Sequence, residues 1–258
     1  MSIITDPIVN LPFLYINGLN MSQTTATATS FAVSAGQCRD NTNTYDLTLK
    51  SNTTVNVNSI GLNGLDTGTF AASTVYYVYL IADSQGYNQT GVIISTNKTL
   101  PAMPNPLNPK GSYTVYRRIG SFASLNTPNV PIFYQIGSGS TRELLYDSPV
   151  QVAYTPTTSF STCSLAVAVP SFAPIKVSLS IAYNTSVAGG QINARAYNPA
   201  GGLESQINLS AVVATETSRF APFDMIAMLN NGAPTIQLQT ANTSDIITIL
   251  VNGFVDNL

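Results

Sequence analysis

The sequence predicts an all-β protein, with an N-terminal antiparallel β domain followed by a C-terminal β-sandwich of jelly-roll type. Three observations carry that expectation. Short runs of β-branched, aromatic and aliphatic residues recur along the chain between Gly, Pro, Asn and Ser punctuation, as strands and turns do. Residues 24–35, mostly Thr, Ala, Ser and Val, lack the 3.6-residue period of a core-facing helix. In residues 175–182, Ile175, Val177, Leu179 and Ile181 alternate with Lys176, Ser178, Ser180 and Ala182, the period of a strand buried on one face.

In chain order, residues 1–12 read as an extended arm: Ile3, Ile4, Ile8, Val9 and Leu11 are interrupted by Pro7 and Pro12, which rules out a helix. Such an apolar arm is expected either to dock on a neighbouring subunit or particle, or to pack on its own domain. Residues 13–124 read as the first domain, with strands at 13–19, 24–35, 45–49 and 53–60 and a polar turn at 38–43. Its centre is residues 75–82, an uncharged run of Val, Tyr, Leu, Ile and Ala that reads as a buried strand. The turn residues Asp83, Ser84, Gln85 and Gly86 follow, then a second β-rich run at 90–96, so an antiparallel hairpin is expected. A third strand from Tyr113 should join it, with Arg117 and Arg118 on opposite faces. Between the second and third strands, Pro101, Pro104, Pro106 and Pro109 restrict the connection to extended segments. It is expected to be a preformed projecting loop, serving either as a rigid crossover or as a receptor contact. Residues 125–142, with Pro128, Pro131 and the GSGS run at 137–140, read as a linker. Residues 143–258 then supply the strands of the second domain, with the type of 220–229 left open between a helical turn and a bulged strand.

Four ordered segments of the first domain look familiar together: GQCRDNTNTYDLTL at 36–49, GLDTG at 64–68 with STVYYVYLIAD at 73–83, PAMP at 101–104 and YRRIGS at 116–121. Their combination, over residues 11–125, resembles a domain of virion proteins from tailed bacteriophages and prophages, described as tail-fibre or phage structural proteins. The resemblance implies a place in a particle and brings no catalytic residue with it. It also implies a homo-oligomer, a trimer by analogy with phage fibres, contacting other virion proteins of tail or capsid. The chain ends after one further domain rather than running into a long shaft, which favours a short appendage, an adaptor or a capsid-surface protein.

Composition narrows the partners. Only 9% of residues are charged, against about a quarter in typical domains, so contacts are expected to rest on apolar patches and neutral hydrogen bonds. The net charge of −2, with Arg117 and Arg118 as the adjacent basic pair, argues against nucleic acid, which needs clustered Lys and Arg. The arginines are expected to be structural. Apolar runs stay far short of the roughly 18 consecutive positions of a membrane helix. The N-terminus has neither a basic nor an apolar signal region, so synthesis in the host bacterial cytoplasm is expected, with Cys38 and Cys163 free and buried. On that route the Asn-x-Ser/Thr sequons, at Asn52, Asn97, Asn184 and Asn242 among others, carry no meaning.

Signs of chemistry are sparse. The chain has no His and no Trp, which removes His-dependent nucleophile pairs and the commonest zinc sites. Asp40, Asn41, Asn43 and Asp46 could offer oxygens to Ca²⁺, but their spacing lacks the glycine and bidentate Glu of a calcium loop. Asp66 and Asp83 flank the central strand and read as turn formers rather than acids. Glu143, Glu204 and Glu216 are scattered, whereas a glycosidase needs two carboxylates about 5–10 Å apart. The expectation is a non-enzymatic virion structural protein without metal or cofactor, a short tail-fibre or appendage component. The alternatives are a capsid-surface decoration or head-fibre protein, and a module binding a host glycan or receptor through loops of the second domain.

Overall fold

The computed structural model describes residues 12, 14–25, 28–171, 175–185, 190–196, 206–210 and 217–258, with backbone only at 206 and 217–221. The arm residues Ile3, Ile4, Ile8, Val9 and Leu11 lie outside the described residues, as do Glu204 and Glu216. The described chain is all-β, as the sequence predicts, and it forms two compact units: residues 1–147 with 256–258, and residues 148–255.

The first unit holds β1 (Ile16–Gly18), β2 (Met21–Gln23), β3 (Ser30–Val33), β4 (Gly36–Arg39), β5 (Asp46–Leu49), β6 (Thr53–Asn56), β7 (Gly64–Leu65), β8 (Val75–Asp83), β9 (Gly91–Ser95), β10 (Tyr113–Ala123), β11 (Phe133–Ser138) and most of β12 (Thr141–Val152). They pair as β1-β4-β5, as β10-β8-β9-β7 and as β12-β11-β2-β3-β6. The expected hairpin and its third strand are present, with β8 in the middle and antiparallel to both β9 and β10. β8 is buried almost throughout, which is why its sequence reads as an uninterrupted apolar run rather than an alternation. β10 does not alternate to its end. A register shift between Arg118 and Gly120 breaks the two-residue period, and residues 119–123 are all buried. That bulge lets Phe122 enter the core, where it stacks on Phe133 at 5.4 Å and meets Phe31 edge-on at 5.2 Å. Such aromatic pairs add roughly 0.5–1.5 kcal/mol each beyond area burial.

Residues 125–142 are not a linker. Phe133–Ser138 and the start of Thr141–Val152 pair as a hairpin in full register, and Gly139, at φ +68°, opens a two-residue turn. A Gly-Ser pair between alternating runs is a hairpin signal as well as a linker signal. Here Phe133, Gln135, Arg142, Leu144 and Tyr146 face inward, and that burial decides for the hairpin. The boundary between the units falls after Asp147 instead.

The β11–β12 hairpin carries Arg142, which is 1% exposed. Its guanidinium donates to Gly18 O (2.7 Å), Leu19 O (3.1 Å), Asn20 Oδ1 (3.0 Å) and Gln135 Oε1 (3.3 Å). Gln135 Oε1 also accepts Met21 N–H at 3.2 Å, and Gln135 Nε2 donates to Ile119 O at 3.0 Å. This network satisfies the irregular backbone between β1 and β2 and ties it to the bulge in β10. Gly120 leaves room there for Met21 Cε and Gln135 Nε2, side-chain ends that a Cβ would displace.

Arg117 and Arg118 are structural too, in the same unit. Arg118 pairs with buried Asp256 at 2.6 Å and also donates to Asn257 O, Ser121 Oγ donates to Asp256 Oδ2 at 2.7 Å, and Arg117 donates to Leu258 O at 3.1 Å. Cys38 is fully buried and free, and Cys163 in the other unit is buried and free.

The second unit contains the end of β12, then β13 (Ser161–Ser164), β14 (Ile175–Asn184), β15 (Gln191–Ala196), β16 (Gln206–Ser210), β17 (Thr217–Asn230), β18 (Ala233–Thr240) and β19 (Ile246–Asn257), whose last two residues belong to the first unit. The order is β16-β15-β18-β17-β14-β19, with β13 also on β18. Residues 220–229 are strand, bulged where β17 passes Leu179 and Ile181. The β17–β18 hairpin turns on Asn231 and Gly232, both at positive φ, the Asn-Gly pair that a tight hairpin favours. Inward residues alternate along β14, from Ile175 to Tyr183.

Two outcomes follow. Arg142→Met should destabilise the protein by about 3–5 kcal/mol, because it strands buried carbonyls and amides; chemical denaturation checks it, and a loss below about 1 kcal/mol would remove the network's importance. Burial pushes the Cys38 and Cys163 thiols up to about 12 and raises the Tyr79 and Tyr146 phenols above their ordinary range. These groups ionise more easily in the unfolded chain, so the stability they contribute is complete below about pH 8.5 and is lost as pH rises towards about 12. Denaturation midpoints should therefore fall steadily above about pH 9, and a flat profile there would contradict the burial.

Candidate contact surface

The proline loop between β9 and β10, residues 96–112, is fixed at both feet. Asp66, in the GLDTG turn, accepts the Ala102 N–H at 3.0 Å, so the GLDTG and PAMP segments hold each other. Tyr79 donates its hydroxyl to Asn97 O at 2.8 Å, and Asn97 Oδ1 accepts Thr99 N–H at 3.0 Å. At the far foot, Asn88 accepts Asn108 N–H at 2.7 Å and donates to Asn108 O at 3.3 Å. Asn88 is itself oriented by Asp83, whose Oδ2 accepts its side chain at 2.8 Å and its backbone N–H at 3.1 Å.

Asp83 is a buried turn anchor, 1% exposed. Burial alone would raise its carboxyl, but hydrogen bonds from Gln85 N–H, the Asn88 side chain, Asn88 N–H and Ser112 N–H outweigh that and hold it below its ordinary value. The loop returns to β10 through Gly111, where a Cβ would collide with the Asp83 carboxylate. Asp83 and Asp66 are thus spent on local donors, as short polar side chains in turns commonly are.

Between those feet the loop presents its side chains unevenly. Pro101 is buried, Pro104 and Pro106 are half-buried and Pro109 is exposed. Leu107 is 75% exposed and Leu100 49%. The turns that hold the loop expose apolar residues as well: Ile60 at 69%, beside Gly61, whose neighbour is Pro104, and Tyr87 at 52%, beside Asn88. The prolines therefore set the shape, and Leu100, Leu107, Ile60 and Tyr87 are the large apolar side chains left exposed around them. Sequence reasoning names the first group and misses the second. The signal that could have found them is a large apolar residue standing alone among Pro, Asn, Gly and Ser, with no strand to bury it.

Of the oxygens weighed for Ca²⁺, those of Asp40, Asp46 and Asn43 are engaged within the protein. Asp40 is buried and accepts Thr44 N–H at 2.7 Å and Tyr45 N–H at 2.8 Å, together with the Thr42 hydroxyl. Asp46 pairs with Arg39 at 3.4 Å, and Asn43 Oδ1 accepts Leu14 N–H at 2.9 Å. This is a self-capped turn. Among the described residues no group of three or more Cys, Asp or Glu is gathered in metal-binding geometry, and no helix is long and apolar enough to cross a membrane. Tyr76, Tyr77 and Tyr79 are buried in the core.

No family model matches the chain, and no curated protein matches it. Among solved structures, the crystal structure of the infectious bursal disease virus VP2 subviral particle aligns with 98% of this chain and 74% of that chain, at 13% identity and a TM-score of 0.19. A likeness at that level carries no argument about fold or function.

Gly111→Ala should push the loop off Asp83 and cost about 1–3 kcal/mol of stability. Trypsin should then cut after Lys110 faster than in the unaltered protein, and equal cleavage rates would show that the foot at Asn88 and Asn108 does not depend on this approach.

Proposed function

We propose that the protein is a non-enzymatic structural component of a tailed-phage virion, a short tail-fibre or appendage subunit that assembles with copies of itself. The observation that carries the reading is the stapled loop. Large apolar side chains at Leu100, Leu107, Ile60 and Tyr87 are held out on backbone that is hydrogen-bonded at both feet, so little conformational entropy remains to be lost on contact. Exposed apolar residues on a rigid, charge-poor frame suit burial against a subunit. The motif resemblance of residues 11–125 supplies the virion setting and the expectation of a trimer. The roles of Asp40, Asp66 and Asp83 as turn anchors agree with a protein whose polar groups hold backbone.

Light scattering of the full-length chain tests this. The expected result is a closed oligomer, at about three times the 27.3 kDa chain mass for a trimer. Leu107→Asp with Ile60→Asp should shift it towards monomer. A deletion variant lacking residues 2–11, measured in parallel, separates the contribution of the arm from that of the loop. A monodisperse monomer, or an oligomer indifferent to the paired aspartates, would overturn the loop's role.

A further inference from the structure

Four Asn-Gly pairs occur in the chain, at Asn17-Gly18, Asn63-Gly64, Asn231-Gly232 and Asn252-Gly253. An Asn followed by Gly can react with its own backbone, because glycine leaves the next main-chain nitrogen unscreened by a side chain, and Asn counts among the thermolabile residues. The fold holds three of these pairs closed. Asn63 Oδ1 accepts Val92 N–H at 3.0 Å, Asn63 N–H donates to Val92 O at 2.7 Å, and Gly64 N–H donates to Gly61 O at 2.9 Å. The Asn252 amide is tied to Ser180, with Nδ2 donating to Oγ at 2.9 Å, and Gly253 is buried in register with Ser178. Asn17 lies in β1 opposite Gln37, and Arg142 holds the Gly18 carbonyl at 2.7 Å.

Asn231-Gly232 is left open. Both residues are exposed, and no atom lies within 4 Å of where a Gly232 Cβ would stand. The Asn231 amide, unlike those of Asn63 and Asn252, makes no hydrogen bond among the described residues. The turn caps a ladder of three residue pairs, Met228 with Thr235, Leu229 with Pro234 and Asn230 with Ala233, beyond which β17 leaves β18 for β14. A short ladder at a hairpin tip opens at little cost. Opening lets the chain leave the positive φ of the turn and bring the Gly232 nitrogen to the side chain.

We propose that Asn231 is a self-modification site, where the Gly232 main-chain nitrogen converts the side-chain amide into a carboxylate. The nitrogen gives its proton to hydroxide and attacks Asn231 Cγ. The new N–Cγ bond closes a five-membered imide, the Cγ–Nδ2 bond breaks, and Nδ2 takes a proton from water and leaves as ammonia. Water then opens the ring. Hydrolysis of the N–Cγ bond leaves aspartate, and hydrolysis of the bond to the main-chain carbonyl carbon leaves isoaspartate, with the backbone routed through Cβ and Cγ. Each event adds one negative charge to a chain whose net charge is −2. Aspartate tolerates the left-handed conformation that Asn231 holds at φ +49°, as short polar side chains do, so the hairpin survives it. Isoaspartate lengthens the backbone, and the two-residue turn is lost. The inference goes beyond self-assembly and does not rest on it.

Peptide mapping by mass spectrometry of the full-length protein tests this, with samples held over days at neutral and at mildly alkaline pH, folded and in concentrated urea, then digested with pepsin at low pH to stop the reaction. In the folded protein the peptide holding Asn231 should gain the mass of an NH₂-to-OH exchange, in separable aspartate and isoaspartate forms. It should do so at least about tenfold faster than peptides holding Asn17, Asn63 or Asn252, which react only through larger openings. The rate should rise with hydroxide concentration, and in urea the four rates should converge. Asn231→Asp should co-elute with the aspartate product on ion exchange and keep the denaturation midpoint of the unaltered protein. Earlier conversion at another pair, equal rates at all four in the folded protein, or an unchanged Asn231 while the urea-unfolded chain converts would each overturn the assignment.

Discussion

The first unit depends on one buried guanidinium. Arg142 satisfies the main-chain oxygens of Gly18 and Leu19 where the chain leaves one strand and has not yet entered the next. A loop crossing a core would otherwise leave those groups without water or a ladder partner. Because Arg142 also orients Gln135, and Gln135 reaches both Met21 and Ile119, the same side chain fixes how the β11–β12 hairpin sits on β2 and on the bulge of β10. That bulge in turn sends Phe122 into the aromatic core. The position of the ring therefore follows from a polar network a few residues away.

The same economy runs through the unit. Charge is scarce, and much of it is placed inside: Arg39, Arg117, Arg142, Asp40, Asp83 and Asp256 are all buried. Each holds irregular backbone or a neighbouring strand. A buried ion serves a fold only when its hydrogen bonds are met, and here main-chain groups meet most of them. The exposed charges of the first unit, at Lys50, Lys98, Lys110 and Asp147 among them, stand among many more neutral side chains. The proposed assembly through apolar contacts fits that scarcity of charge, since it needs no long-range electrostatics. The proline loop is where internal order reaches the surface, because its feet are held by Asp66 and by the Asp83–Asn88 pair.

Much of this is legible in the sequence. The apolar run of β8, the alternation of β14 and the turn at 83–86 each follow from local chemistry, and all three stand in the structure. The bulge in β10 is not legible, because a register shift is decided by what packs on either side of Gly120. Residues 125–142, which hold β11 and the turn into β12, read as a linker because Gly and Ser punctuate both, and the burial of Arg142 that separates the two is a tertiary fact. The Asn231-Gly232 pair is a local hairpin signal, masked by the ambiguous strand that precedes it. Of the candidate contact surface, the prolines are readable as a rigid loop, whereas the exposure of Leu107 and Ile60 depends on which strands leave them uncovered.

The central claim is that a few buried polar groups set the irregular backbone of the first unit and preorganise its projecting loop. Native-state hydrogen exchange reads this amide by amide. The Met21 N–H, bonded to Gln135, should exchange only with global unfolding, and the Ala102 and Asn108 N–H groups should be protected well above the level of an open loop. Exchange of Ala102 and Asn108 at the rate of an unstructured peptide, or of Met21 well below the global unfolding free energy, would contradict the account.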